Sequence, residues 1–243
     1  MSIRSLRAAV SFLTVLPVAN ADGSPGERLG RAYFPAIGAL IGFVAGVAYL
    51  VMAAFSTPLV GAAAAVAVLA VLTGALHLDG LADSVDGLMT HGDVARRLEV
   101  MRDPRLGSYG VTAIALVLLL DWAAIASMSP LRAFAALVIG GALSRLATVA
   151  IIAFVPYIRA AGLGVAAWDP KSRGLDLAFG AASAALVCLL DWRRALVAVS
   201  VVALVTVSLA AVARRRLGGA TGDICGAAAE LCQLGVLLVF AVR

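Results

Sequence analysis

The chain is 243 residues long, 63% hydrophobic and only 14% charged, with a mean hydropathy of +1.03. A soluble domain of this size is about 45–50% apolar and about 25% charged, because polar groups must cover its core, so an ordinary water-soluble enzyme is excluded; the scarcity of charge excludes disorder. The net charge of +5 would suit nucleic acid in a soluble domain, but the basic residues fall in short gaps between apolar runs, where they report membrane orientation, and no nucleic acid partner is expected.

The first 33 residues form an N-terminal segment of mixed character. Its basic start, the apolar stretch 8–18 and Ala19-Asn20-Ala21 resemble a cleavable signal. Ile3, Leu6, Val10 and Leu13 recur at helical spacing opposite Arg4, which favours an uncleaved helix lying in the interface. About 20 apolar residues are needed to cross roughly 30 Å of hydrocarbon. Seven stretches qualify: 34–55, 59–78, 109–128, 131–155, 175–190, 195–213 and 224–242, the fifth being short. The expected fold is therefore all-α: a polytopic integral membrane protein of about seven transmembrane helices with an N-terminal interfacial helix, in a single domain 1–243. Lys and Arg on alternate sides of this arrangement number fourteen against four, with Arg145 inside a span. That bias predicts a cytoplasmic N-terminus. Cys188, Cys225 and Cys232 are an odd number embedded in apolar runs and read as small apolar fillers.

The acids concentrate on the side predicted to be cytoplasmic, in a region 77–108 that joins an acidic motif to a basic loop. If the chain stays helical from His77 to Leu88, Asp79, Asp83 and Asp86 fall within about 60° of one another around the axis. Three like charges at a helix end need a compensating cation, and hard carboxylate oxygens suit Mg²⁺, or Mn²⁺, better than Zn²⁺. A solvated polar helix end explains any one of these residues but is a poor account of all three. Asp223 and Glu230 open the last span seven residues apart and face one way, with Glu230 about 10 Å deeper. Asp79 is expected to lie about 10 Å deeper than Asp86, so the two acidic faces can line one pocket. Thr221 reads equally as a cap for that helix, whose dipole favours Asp223, whereas an intramembrane Glu230 asks for a function. Between the acidic segments, Arg102, Asp103, Arg105, Gly107, Tyr109 and Gly110 make a loop suited to wrapping phosphate oxygens, although orientation bias also accounts for its arginines. Arg145 is expected to pair with Asp121 midway through the neighbouring span, or to reach the acidic pocket or a phosphate.

Phe12-Leu13-Thr14 with Leu16-Pro17-Val18, Tyr33-Phe34-Pro35 leading into Gly38, the acidic 77–88 segment, 101–110, and Thr221-Gly222-Asp223 with Gly226 and Glu230 together resemble the cobalamin synthase family over nearly the whole chain. The resemblance implies adenosylcobinamide-GDP ribazoletransferase activity. In that reaction adenosylcobinamide-GDP and α-ribazole, or its 5′-phosphate, give adenosylcobalamin, or its 5′-phosphate, and GMP with Mg²⁺, at the cytoplasmic face of a prokaryotic inner membrane. Under it, Asp79, Asp83, Asp86 and Asp223 are the catalytic and metal-binding residues, with Asp83 the first choice of base. Arg102, Asp103, Arg105, Gly107, Tyr109, Gly110, Arg145, Thr221 and Glu230 bind substrate. Membrane lipid surrounds the protein, and a homo-oligomer remains open. A CDP-alcohol phosphotransferase is a weaker match, because Asp79-Gly80-Leu81-Ala82-Asp83 lacks that family's spacing and arginine. An ion-coupled transporter using Asp121, Arg145 and Glu230 fits less well, since the densest acids lie at one face.

Overall fold

The computed structural model describes residues 2–18, 29–159, 168 and 173–242. The small-residue sequence 19–21, and Arg28, Lys171 and Arg243 of the charge count, lie outside them. Among the described residues the secondary structure is helical: α1 (Ile3–Leu13), α2 (Phe34–Phe55), α3 (Pro58–Leu72), α4 (Leu76–Met89), α5 (Val94–Val100), α6 (Ser108–Ser127), α7 (Pro130–Phe154), α8 (Arg173–Cys188), α9 (Trp192–Leu217) and α10 (Gly222–Ala241). The starts carry the expected signals. Ser2, Thr57, Asp93, Asp191 and Thr221 cap their helices with side-chain oxygens, and prolines sit in the first turns of α2, α3 and α7.

Helix α1 buries Ala9 and Leu13 and stacks Phe12 on Phe34 of α2 at 5.8 Å, while Arg4 and Arg7 stay exposed. This is the amphipathic geometry expected of an interfacial helix. Helices α2 and α7 then cross at contact distance, because Gly38, Gly42 and Gly46 recur every fourth residue along the seam. A Cβ on Gly38 would stand 2.1 Å from the carbonyl oxygen of Gly141, and one on Gly42 2.1 Å from that of Leu137. The pairings Gly38 with Gly141 and Gly46 with Phe134 make the two helices antiparallel.

Among the described residues, five helical runs are long and apolar enough to cross a bilayer, or six with the bent pair α3 and α4. One of the five, Arg173–Leu217, spans 45 residues, more than twice the length one crossing needs. It reverses at the 3₁₀ turn Leu189–Asp191. Asp176 near its start pairs with Arg31 beside the beginning of α2, Gly180 lies against Pro35 and Leu146, and Arg214 near its end donates to the carbonyl of Phe154 at the end of α7. Counting α8 and α9 as separate crossings, and α3 with α4 as one broken span, restores the seven passes expected from sequence.

The second of those passes departs from expectation. In place of one straight span over 59–78, α3 ends at Leu72 and α4 leaves it at 85°. Gly74 and Ala75 both adopt left-handed backbone, at φ 58° and 57°, and turn the chain between them. Asp79 and Asp86 are therefore separated across the direction of α3 and not along it, so the expected difference in depth does not follow. The free thiols are buried at Cys225 and Cys232 and half-buried at Cys188, in keeping with apolar fillers.

Candidate active site

Helix α4 is held between α6 and α10 at the end of the bundle where the arginines gather. Its contact with α10 is a glycine contact: a Cβ on Gly80 would lie 3.0 Å from the Asp223 carbonyl oxygen, and one on Gly226 3.1 Å from the Gly80 Cα and the His77 carbonyl oxygen. This close crossing brings Asp79 and Asp223 to one cavity of about 220 Å³. Asp83 lies close enough to Asp79, Asp223 and Asp86 to feel the charge of each, and to feel that of Arg159. At the C-terminal end of α4, Arg97 and Arg216 donate to the Leu88 carbonyl at 2.6 and 2.7 Å, where cations oppose the helix dipole.

Arg159 is the residue the sequence reading missed. It was visible as one basic residue among fourteen, but its place depends on a backbone contact between distant segments. Tyr157 forms a parallel bridge to Ala220, with Ile158 N donating to the Ala220 carbonyl and Ala220 N to that of Pro156. Gly219 permits this approach, since a Cβ there would meet the Pro156 oxygen. Arg159 Nη2 then donates to Asp223 Oδ2 at 2.6 Å and to the Met101 carbonyl at 3.3 Å. Thr221 has two parts: its hydroxyl accepts from Ile224 N as the α10 cap and donates to Asp223 Oδ2 at 3.2 Å.

Tyr157 and Trp168 supply an aromatic wall to the same cavity, with ring centroids 4.5 Å apart. The Trp168 indole N–H is spent on the Val155 carbonyl at 2.9 Å, and burial pushes the Tyr157 phenol above its usual value, keeping it neutral. Phe12, Leu13 and Ile152 close the apolar side. The cavity thus has a charged rim and a flat, hydrophobic body.

The remaining predicted residues divide between two other places. Asp86 faces the start of α6, accepting from Gly107 N at 2.8 Å and Gly110 N at 2.9 Å. The loop glycines therefore serve this carboxylate, and a Cβ at either would lie 2.4 Å from one of its oxygens. Arg105 forms a two-pronged pair with Asp103, at 2.9 and 2.7 Å, which with its backbone N–H holds the Asp103 carboxyl down at about 2. Arg102 lines an outer depression with Asp103 and Pro104, and Tyr109 is exposed, so neither lines the cavity.

Arg145 and Glu230 belong to a buried polar centre deeper in the bundle. Arg145 donates to Ser144 Oγ at 2.9 Å and Gln233 Oε1 at 3.2 Å and faces His77 Nδ1 at 3.4 Å. Glu230 lies near both Arg145 and Asp121. Among the described residues, Arg145 and Asp121 form no ion pair, and Asp121 Oδ1 has no hydrogen-bond partner. His77 joins the two regions: it contacts Arg145 and also borders the cavity.

The profile of the cobalamin-5-phosphate synthase family matches residues 5–241. The adenosylcobinamide-GDP ribazoletransferase of Bradyrhizobium diazoefficiens is 37% identical, over 98% of this chain and 94% of its own length. That of Stutzerimonas stutzeri is 38% identical over 98% of both chains, and that of Azorhizobium caulinodans 39% identical over 95% of this chain and 92% of its own. No solved structure matches.

Proposed function

The chain belongs to the cobalamin-5-phosphate synthase family and is a transferase of cobalamin biosynthesis, and from that premise we propose that it joins adenosylcobinamide-GDP to α-ribazole, or to its 5′-phosphate, with Mg²⁺. The products are adenosylcobalamin, or its 5′-phosphate, and GMP. The acceptor hydroxyl attacks the phosphorus nearest cobinamide, the bond to the bridging oxygen breaks, and the hydroxyl proton passes to a carboxylate. The observation that carries this reading is the meeting of Asp79, Asp223 and Arg159 around one aromatic-walled cavity, with Asp83 close enough to feel the charge of all three.

The donor set fits Mg²⁺, which takes one or two carboxylates and fills its remaining positions with water and substrate phosphate. Asp79 and Asp223, which share the cavity, would hold it, and Asp86 keeps the loop in place. An ion held there would supply positive charge to offset that of the pyrophosphate and of the departing GMP.

Asp83 makes neither the loop hydrogen bonds that occupy Asp86 nor the ion pair that occupies Asp223, and it takes the acceptor's proton. Arg159 supplies fixed positive charge beside the reacting phosphorus. The acceptor's aromatic base lies against Tyr157 and Trp168, since a cavity of about 220 Å³ accommodates a nucleoside and not a corrinoid. The active site faces the cytoplasm, in line with the excess of arginine on that side.

Purified protein in liposomes, given both substrates, is expected to form adenosylcobalamin and GMP in equal amounts, to stop on chelation of Mg²⁺, and to recover on its return. Asp83→Asn inserts normally and makes no product. Folded wild-type protein that forms neither product would overturn the reaction; near-normal turnover by Asp83→Asn would remove Asp83 from it.

A further inference from the structure

An apolar groove, separate from the cavity above, runs between α7, α8 and α9 with a volume of about 370 Å³. Its walls include Ala150, Phe154, Leu177, Ala181, Ala203 and Ala210, and its one polar lining residue, Thr206, turns its hydroxyl onto the Val202 carbonyl at 2.6 Å. On α9 the lining extends from Val199 to Ala210, about 16 Å at 1.5 Å per residue. That is close to half of a hydrocarbon core roughly 30 Å thick. The groove is one leaflet deep.

Both helical walls end in arginine on the groove-facing side. Arg214 follows Ala210 by four residues and Arg173 precedes Leu177 by four, so each continues its lining stripe by one turn. Both are exposed. Arg214 already reaches the Phe154 carbonyl at the groove's end, which fixes its side chain at the mouth. Arg215 and Arg216 point elsewhere around α9, and Arg216 is committed to α4. A dry slot of leaflet depth, crowned by two guanidinium groups, matches one ligand chemistry: an anionic headgroup on an acyl chain.

We infer that this groove binds one anionic phospholipid of the arginine-side leaflet, its chain between α8 and α9 and its phosphate between Arg173 and Arg214. This site stands apart from the transferase reading and is tested without turnover. The purified, delipidated protein is titrated in detergent with dioleoyl phosphatidylglycerol or dioleoyl phosphatidylcholine, and bound lipid is counted by native mass spectrometry. A basic residue near a membrane surface is worth roughly fivefold in binding to anionic lipid, so phosphatidylglycerol is expected to bind about thirtyfold more tightly than phosphatidylcholine.

Arg173→Gln with Arg214→Gln abolishes that preference, while Arg214→Lys retains most of it, which separates charge from the capping bond to Phe154. Ala203→Trp fills the slot and releases both lipids, with the helical content unchanged by circular dichroism. Equal binding of the two lipids overturns the inference. So does a preference that survives the double glutamine variant, or phosphatidylglycerol bound as tightly after Ala203→Trp, since either locates the lipid elsewhere.

Discussion

Arg159 and Asp223 show how a charged side chain is used at this site. The pair is only about one-sixth exposed, at 16% and 18%, and its 2.6 Å contact joins the segment after α7 to the start of α10. Removing one member leaves the other partly desolvated, a cost of about 2–4 kcal/mol after allowance for that exposure. Arg159→Gln should therefore lower the thermal midpoint in detergent and reduce turnover by about two orders of magnitude, the usual scale for a lost transition-state donor. Arg159→Lys should recover stability better than turnover, because a point charge replaces a fork. Asp86 illustrates a different use. Hydrogen bonds to a charged group contribute roughly 1.5–3 kcal/mol each, so Asp86→Asn should accelerate amide exchange at Gly107 and Gly110 while leaving the Mg²⁺ dependence of turnover close to wild type. A shifted Mg²⁺ midpoint would instead make Asp86 a ligand. Sequence periodicity alone put Asp79, Asp83 and Asp86 on one face; it carried no information on which neighbour each carboxylate meets. Trp168 and Arg159 were unreadable for a related reason, since their roles come from a bridge between residues 157 and 220.

At the scale of helices, close glycine crossings set the architecture. The sequence located the long apolar elements to within a few residues, because twenty consecutive apolar side chains have few alternatives. It did not reveal the 85° break between α3 and α4, where Ala75 takes a left-handed conformation that an alanine rarely adopts. Tertiary contacts impose that turn by seating Gly80 on α10. Gly226→Val should wedge α4 away from α10 and separate Asp79 from Asp223, and a displacement of about 1 Å can cost roughly a hundredfold in rate. Turnover and thermal unfolding, measured together, check this: a large loss of rate with a modest shift in midpoint is the expected pattern. Gly38→Val is expected to do the reverse of a local change. With a Cβ 2.1 Å from the Gly141 oxygen it must part α2 from α7, so little folded protein should be recovered from membranes.

For the molecule as a whole, the asymmetric charge count predicts a sidedness that labelling can test. With Cys188, Cys225 and Cys232 replaced by alanine, His91→Cys and Arg132→Cys should react with a membrane-impermeant maleimide from opposite faces. In intact cells only Arg132→Cys should be labelled, and labelling of both from outside would require a different number of crossings. The seven-pass count was legible because hydropathy and arginine placement agree. The fifth and sixth passes were harder, since Asp191 to Arg194 is a thin polar interruption in a long apolar run, and only their contacts with α7 show the reversal.

The buried polar centre also constrains how the protein is made. Arg145 in α7 meets Ser144 and His77, but its remaining side-chain partner, Gln233, and the nearby Glu230 lie on α10, some ninety residues later in translation. Among the described residues Asp121 Oδ1 in α6 has no hydrogen-bond partner, and Glu230 of α10 lies nearby. A nascent chain halted before α10 therefore carries an arginine and an aspartate in hydrocarbon whose surroundings are incomplete. Helix α10 completes the electrostatics of the helices inserted before it, so commitment of the bundle waits for its arrival.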